Sequence, residues 1–483
     1  MLANILVYDI GSTYTKAAAF HLEDEVLTFC GRSQALTTLE DINQGAEKAK
    51  KAMEESGIEF AENTKKYSSC SAAGGLRMVA LGYMPRVTAK AAKEVAMTAG
   101  ARVMEVISSD ESPEYREEVL REICPDIILL AGGTDSGDET SVHENVEIIC
   151  KVKGKATVIL ACNKFAQRYA AGRLREEGIP YIRVQNIMPT IHELNIGPAR
   201  AAIHEQFIRQ ITKAQGLKEF RENLADQTVI PTPGAVLLAS ELLARGTYEQ
   251  DGIDGLIIVD IGGATTDIHS VLPRLEGLEL EERGLVISNQ KQVSYRTVEG
   301  NLGMRVSATG IPEAIGPKAV LRVFDNPAVS MEPDELLEYT EFLEENTNHI
   351  AKDEKEKTID RALAYCAIDL ALKRHAGTFM KENDPEMGLM AGTPVGRDLR
   401  MVETVLCVGG AFVYMDHEKR QEMMERCFDH PDLSLLPIKR PKILFDDDYL
   451  MFAMGVLGKH YPDAVLSFMK QEFNLLDNEQ KNV

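Results

Sequence analysis

Two stretches of the chain alternate apolar and polar positions in the same way. ILV (5–7) runs into YDIGSTYTK and then AAAF (17–20); LIIV (256–259) runs into DIGGATTD and then IHSV (268–271). Short apolar runs bounded by Gly and Thr predict strands, so each stretch predicts strand–turn–strand, with strands at 4–8 and 17–20 in the first. The two Asp-Ile-Gly starts lie 251 positions apart (260 minus 9). Residues 33–57 read as a loop leading into an amphipathic helix that stops at Gly57. Small residues in 67–83 suggest a close backbone approach followed by an apolar strand.

From 85 to 195 the pattern changes. Helix-like segments at 89–101, 116–125 and 165–178 alternate with apolar strands at 103–108, 126–133, 156–162 and 181–187. That alternation predicts a parallel sheet covered on both faces, a Rossmann-like α/β block. The GG of LLAGGTD reads as a tight strand-to-helix turn at least as readily as a nucleotide loop. A helical stretch at 196–217 leads to IPTPGAVLLASELLARG, a helix with Thr232 as N-cap, Pro233 in its first turn and Gly246 as its stop. Residues 358–377 predict a helix whose end carries Arg374 and His375 as favourable cations. TVLCVGGAFVY (404–414) is a strand entering a double-glycine turn, and 446–462 predicts the last helix, before a polar tail. The expected segments are 1–84, the first part of lobe I; 85–195, the inserted block; 196–245, connecting helices and hinge; 246–460, lobe II; and 461–483, the tail.

A chain of 483 residues is too long for one ordinary core. Its formal net charge of −22 and the lack of a Lys/Arg stripe argue against a nucleic-acid partner. No apolar run is long enough to cross a bilayer. The eight cysteines include no CxxC pair, which disfavours a compact zinc or iron–sulfur site and suits a reduced, cytoplasmic protein.

A bound polyphosphate needs backbone N–H groups, hydroxyl donors and a carboxylate that holds Mg²⁺, usually through water. The first turn offers Asp9, Gly11, Ser12, Thr13, Thr15 and Lys16. The second offers Asp260, Gly262, Gly263, Ala264, Thr265, Thr266 and Asp267. Either alone reads as a hairpin; two, each after a buried strand, point to phosphate. Gly409 and Gly410 add a backbone against which a nucleoside can lie.

This order of motifs resembles the superfamily of actin, the Hsp70 chaperones and the sugar kinases. The resemblance implies an actin-like ATPase fold, with two related ribonuclease H-like lobes clamping ATP in a cleft. It implies Asp9 near Mg²⁺, and Lys16 or the Ser12/Thr13 turn at the outer phosphates. Asp260 would hold the metal or position the attacking water, Gly262, Gly263, Thr265 and Thr266 would wrap phosphate, and Gly409 and Gly410 would meet adenosine. Helices 233–245 and 449–458 would cross at the hinge, with Gly234, Ala235, Ala239, Ala453 and Gly455 allowing close contact.

Within that superfamily, SSCSAAGGLRMVALGY, LLAGGTDSGD, QNIMP, TPGAVL, DIGGATTDIHSV, RTVEGNLGMR and MAGTPVGRDL resemble the glutamate mutase L-type family. Its members are also called MutL and are unrelated in pattern to the mismatch-repair protein of that name. The likeness runs from residue 5 to about 460. It implies an accessory protein of adenosylcobalamin-dependent mutases, acting as diol dehydratase reactivating chaperones do, with weak Mg²⁺-dependent ATP turnover. The partners would be mutase subunits, with homodimerisation open; the block at 85–195 is the expected partner-binding part because it lies outside the ATP motifs. Alternatives are a small-molecule kinase using Asp260 or Asp267 as base, and a binding protein that holds nucleotide without turnover. The roles of Cys70 and Arg77 stay open.

Overall fold

The computed structural model describes residues 2–11, 14–38, 42–70, 77–82, 102–190, 195, 197–211, 217–273, 293–383, 390–429 and 433–475. Ser12, Thr13 and the helix expected at 89–101 lie outside them. The chain divides into two units, Met1–Leu238 with Phe452–Val465 and Ala239–Met451 with Leu466–Val483.

The first unit opens with an antiparallel meander, β1 (Leu2–Ile10), β2 (Tyr14–Glu23) and β3 (Val26–Leu36). Helix Ile42–Glu55 then buries Ile42, Ala46, Ala49 and Met53, one helical face, and returns the chain to β4 (Glu59–Cys70), parallel to β1. β1 lies in the middle of the sheet, and its apolar residues from Ile5 to Ile10 are at most 2% exposed.

Between β4 and its next partner comes a second sheet of β5 (Arg77–Gly82), β6 (Arg102–Ser108), β7 (Ile127–Leu130), β8 (Thr157–Leu160) and β9 (Tyr181–Arg183). All its pairs are parallel, in the order β6-β5-β7-β8-β9. Helices Pro113–Ile123, Thr140–Val152 and Ala166–Glu176 connect the strands. Alternate residues serve two cores. Met78, Ala80, Leu129 and Ile159 join the core of the first sheet, while Val79, Leu81, Leu130 and Leu160 form one of their own. The sheet thus starts at Arg77, ahead of the boundary expected at 85. Helix Gly197–Ile211 follows, and β10 (Ile230–Pro231) joins β4 in parallel.

The second unit repeats the first sheet. β11 (Leu256–Ile261), β12 (Thr266–Val271) and β13 (Ser294–Glu299) form the meander. After a small hairpin of β14 (Thr378–Phe379) and β15 (Pro394–Val395), β16 (Thr404–Val408) pairs parallel to β11 and β17 (Lys442–Phe445) parallel to β16. The two orders, β10-β4-β1-β2-β3 and β17-β16-β11-β12-β13, match strand for strand in position and direction. Each unit therefore contains one copy of a five-stranded mixed sheet. The parallel α/β block occupies the connection between the fourth and fifth strands of the first copy.

Two further expectations change. Helix Glu354–His375 ends as placed, but His375 is fully buried, not a cation at a helix end. Its Nε2 meets Ser270 Oγ at 2.8 Å and its Nδ1 meets Thr297 Oγ1 at 2.7 Å. Burial, then the charges of Arg397 and His269, hold its pKa well below the usual value, so the ring is neutral. The segment expected as a tail from 461 instead forms helix Pro462–Glu472, because Val465, Leu466 and Met469 are apolar positions at helical spacing and are fully buried.

Inside the first unit, Ala235 of helix Thr232–Arg245 meets Gly455 of helix Met451–Gly458. A Cβ on Gly455 would lie 1.7 Å from the Ala235 carbonyl oxygen. Gly455→Ala should therefore destabilise the protein by about 3 kcal/mol or more, read as a lowered midpoint in urea unfolding followed by circular dichroism.

Candidate functional site

The two turns are built alike. In the first, the Gly11 amide donates to the Tyr14 carbonyl at 3.0 Å, and in the second the Gly262 amide donates to the Thr265 carbonyl at 2.8 Å. Asp9 faces Lys16 across the strand pair, and Asp260 faces Asp267. Both turns leave the strand end at which the parallel strands of their sheet finish, where open α/β sheets bind ligands.

In the first unit, Asp9 is 5% exposed. Its Oδ1 accepts from Ser69 Oγ at 3.0 Å and from Thr232 Oγ1 at 2.5 Å. Thr232, expected as an N-cap, thus spends its hydroxyl on the carboxylate. Among the described residues Asp9 Oδ2 has no hydrogen-bond partner. One oxygen held by two hydroxyls and one left open suits a carboxylate that holds a hydrated Mg²⁺. Thr15 is fully buried, and its hydroxyl meets Thr37 Oγ1, which donates to the Gly11 carbonyl. Its hydroxyl is used inside the unit, in bracing the turn. Lys16 is half-buried on β2. Cys70 is buried at the end of β4, level with Ile10.

In the second unit, Gly263 and Ala264 are exposed, and among the described residues their amides have no acceptor. Free successive amides at a tight turn form an anion-binding concavity. The carbonyls of the same turn are all occupied. Met304 N–H donates to Gly262, Arg305 and Val306 N–H to Gly263, and Ser307 Oγ to Ala264. A Cβ on Gly303 would sit 2.3 Å from the Ala264 carbonyl carbon, so that loop needs a glycine to close on the turn. Thr266 is fully buried and donates to Leu302 O. Thr265 donates to Asp267 Oδ2, and Arg296 holds Asp267 Oδ1 at 2.6 Å, so Asp267 is committed to an ion pair. Asp260, half-buried, stands opposite it.

Gly409 follows β16 with φ +120°, and a Cβ there would lie 2.1 Å from the Ile261 carbonyl oxygen. The double-glycine turn therefore abuts the start of the second glycine turn. Gly410 packs near the Tyr449 hydroxyl. Beyond β17, buried Asp446 accepts from the Leu450 and Met451 amides at 2.8 and 2.9 Å.

Sequence reasoning did not assign Ser69, Arg296 or the 302–307 loop to the site. Their sole signal was their presence in short motifs rich in small residues. Arg77 has a structural role, since it donates to the Ile123 and Cys124 carbonyls and closes the end of helix Pro113–Ile123. The LLAGGTD turn is likewise braced by its own chain. Asn186 Nδ2 donates to the Gly133 carbonyl, and a Cβ on Gly133 would lie 2.1 Å from Asp138 O.

These features define a duplicated α/β protein in which each copy carries one glycine turn beside a strand-end aspartate. A family model described as "MutL protein" matches residues 5–473. "Protein MutL" of Clostridium tetanomorphum is 35% identical over 474 residues, 96% of this chain and 98% of that one. The chain belongs to the MutL family, the glutamate mutase L-type family that its motifs resemble. Solved structures with some likeness include two Ppx/GppA family proteins of Aquifex aeolicus. The type II variant of the Ppx/GppA phosphatase is 11% identical with a TM-score of 0.17, covering 72% of this chain and 65% of its own. The other is 10% identical with a TM-score of 0.19, covering 81% and 93%. At those scores the fold rests on the chain's own two sheets. No helix among the described residues is long and apolar enough to cross a membrane.

Two outcomes test this geometry. Thr232→Val should cost roughly 1.5–3 kcal/mol by removing a hydrogen bond to a charged group, and Thr232→Ser should restore most of it, both read by urea unfolding. Burial raises Asp446 to about 6, against the pull of the two amides. The fold therefore favours its protonated form, a contribution complete below the ordinary value of 3.8 and lost as pH rises through 6. The stability of Asp446→Asn relative to wild type should climb between pH 4 and 6.5 by up to roughly 3 kcal/mol and stay level above.

Proposed function

We propose that this MutL-family chain binds ATP with Mg²⁺ through its two glycine turns, in an actin-like ATPase fold, and serves as a reactivating chaperone. Its client would be an adenosylcobalamin-dependent mutase of the glutamate mutase or aminomutase type, in the cytoplasm. The observation that carries the reading is the repeated turn, with the same closing hydrogen bond and the same strand-end aspartate on two sheets of one topology.

ATP, when bound, supplies a phosphoanhydride bond, and its Mg²⁺ neutralises phosphate charge. The chain's own residues do the rest. The Gly263 and Ala264 amides donate to phosphate oxygens, and Lys16 adds a positive charge beside the first turn. Asp9, held by Ser69 and Thr232, keeps one oxygen for the metal's water shell. Asp260 orients water or the metal shell from the second turn. Arg296 keeps Asp267 away from phosphate, which like charge would repel. Gly409 and Gly410 leave room for the nucleoside. A nucleotide that orders such turns biases a two-state element, which is what prising a spent cofactor from a partner requires. We assign contact with the mutase to the parallel block from Arg77 to Arg183.

The test uses purified protein, wild type beside Asp260→Ala, with a fluorescent ATP analogue and a turnover assay, with and without Mg²⁺. It is repeated with a mutase inactivated by hydroxocobalamin. The expected result is Mg²⁺-dependent turnover, lowered on the order of 100-fold or more in Asp260→Ala, and restored mutase activity in excess adenosylcobalamin. Binding without turnover would leave a nucleotide-gated binding protein. Turnover without mutase rescue would redirect the reading to a kinase. No nucleotide binding at all would end it.

A further inference from the structure

The parallel block carries a cavity of about 840 Å³ that none of the site residues above lines. It opens at the amino ends of β5, β7 and β8, the opposite end of this sheet from the LLAGGTD turn. The volume is that of a site for a small organic ligand. Its floor is aliphatic, with Leu120, Ile127, Ile149 and Ile179 contributing.

Its rim is basic on a chain whose net charge is −22. Arg77, Arg121, Lys153 and Lys155 line it, and Asp126 is the one carboxylate among the lining residues. Two helices end here, and bare carbonyl ends would repel an anion. Those ends are covered. Arg77 donates to the carbonyls of Ile123 and Cys124, and Arg121 donates to that of Lys151. Arg77 also neutralises Asp126, its amide donating to the carboxylate at 3.0 Å and its guanidinium lying 3.5 Å away. Lys153 pairs with Glu177 at 3.0 Å.

Two side-chain nitrogens on the lining have no partner among the described residues. Lys155 is exposed and, among the described residues, has no ion-pair or hydrogen-bond partner. Gln206, on helix Gly197–Ile211, has its Nε2 buried without an acceptor. A buried amide donor left unsatisfied costs about 1–3 kcal/mol; Gln206 lines the cavity, and a small turn of its side chain would bring Nε2 to an acceptor oxygen there.

We propose that this cavity binds a small organic anion with an apolar body. Its carboxylate, sulfonate or phosphate meets Lys155, an acceptor oxygen meets Gln206 Nε2, and its hydrocarbon lies on the aliphatic floor. The site is separate from both glycine turns and stands whether or not they bind ATP.

The probe is 8-anilinonaphthalene-1-sulfonate, an apolar anion whose fluorescence rises on burial; the protein has no Trp to interfere. Folded protein should bind it saturably at one site per chain. Lys155→Glu should weaken that binding about 10-fold or more, Gln206→Leu should weaken it less, and the control Lys51→Glu should leave it unchanged. The melting temperature of each variant is measured alongside, and Lys155→Gln serves if Lys155→Glu is destabilised. The neutral analogue N-phenyl-1-naphthylamine should bind more weakly and show no dependence on residue 155. Equal binding of both probes, or binding indifferent to every change at Lys155, overturns the proposal.

Discussion

The carboxylate of Asp9 holds the first unit together where its strands end. One of its oxygens takes hydroxyls from β4 and from the first residue of helix Thr232–Arg245, while its own backbone pairs with β2 and β4. Without that charge, the buried Ser69 hydroxyl and the half-buried Thr232 hydroxyl would be left with little beyond their 3.4 Å contact with each other, at the junction of three elements. The position of β10, only two residues long, depends on the same junction. Two residues of ladder are a weak hold, so the side-chain bonds beside it carry much of the fixing.

The second copy solves the same problem with different chemistry. A carboxylate directly across from another carboxylate is unfavourable on an antiparallel pair. Asp260 and Asp267 coexist because Arg296 and Thr265 take up Asp267. Where the first turn sets a lysine opposite its aspartate, the second sets an acid and brings in an arginine from the next strand. The closing hydrogen bond and the strand pairing are retained while the charges diverge. The first turn is held from behind through Thr37 and the second by the 302–307 loop, in both cases by segments distant in sequence.

The duplication could be read from the sequence, since DIGSTYTK and DIGGATTD share spacing and residue types that a buried strand and a tight turn require. The parallel block was legible because its inner strands β5, β7 and β8 are continuous apolar runs, buried on both faces. β3 was not foreseen, because its exposures alternate along VLTFCGRSQAL and an edge strand with Gly31 and Arg32 lacks a clear run. His375 misled for a local reason. At a helix end it reads as a cation, and nothing nearby in sequence reveals that Ser270 and Thr297 enclose it. Thr232 likewise had the pattern of an N-cap, and only the tertiary fold brings Asp9 within reach. Local chemistry carried the elements; contacts across hundreds of residues decided which side chains face the turns.

The split composition of the first unit has a consequence for biosynthesis. Asp9 and its partner Thr232 are 223 positions apart. At ordinary rates of synthesis, about 5–20 residues per second, the carboxylate waits roughly 10 to 45 s for that hydroxyl to be made. Residues Phe452–Val465 belong to the same unit, and Gly455 seats against Ala235. The part of the protein that leaves the ribosome first therefore stays incomplete until almost the whole chain has been made. During that interval its apolar sheet face is open to whatever binds nascent chains.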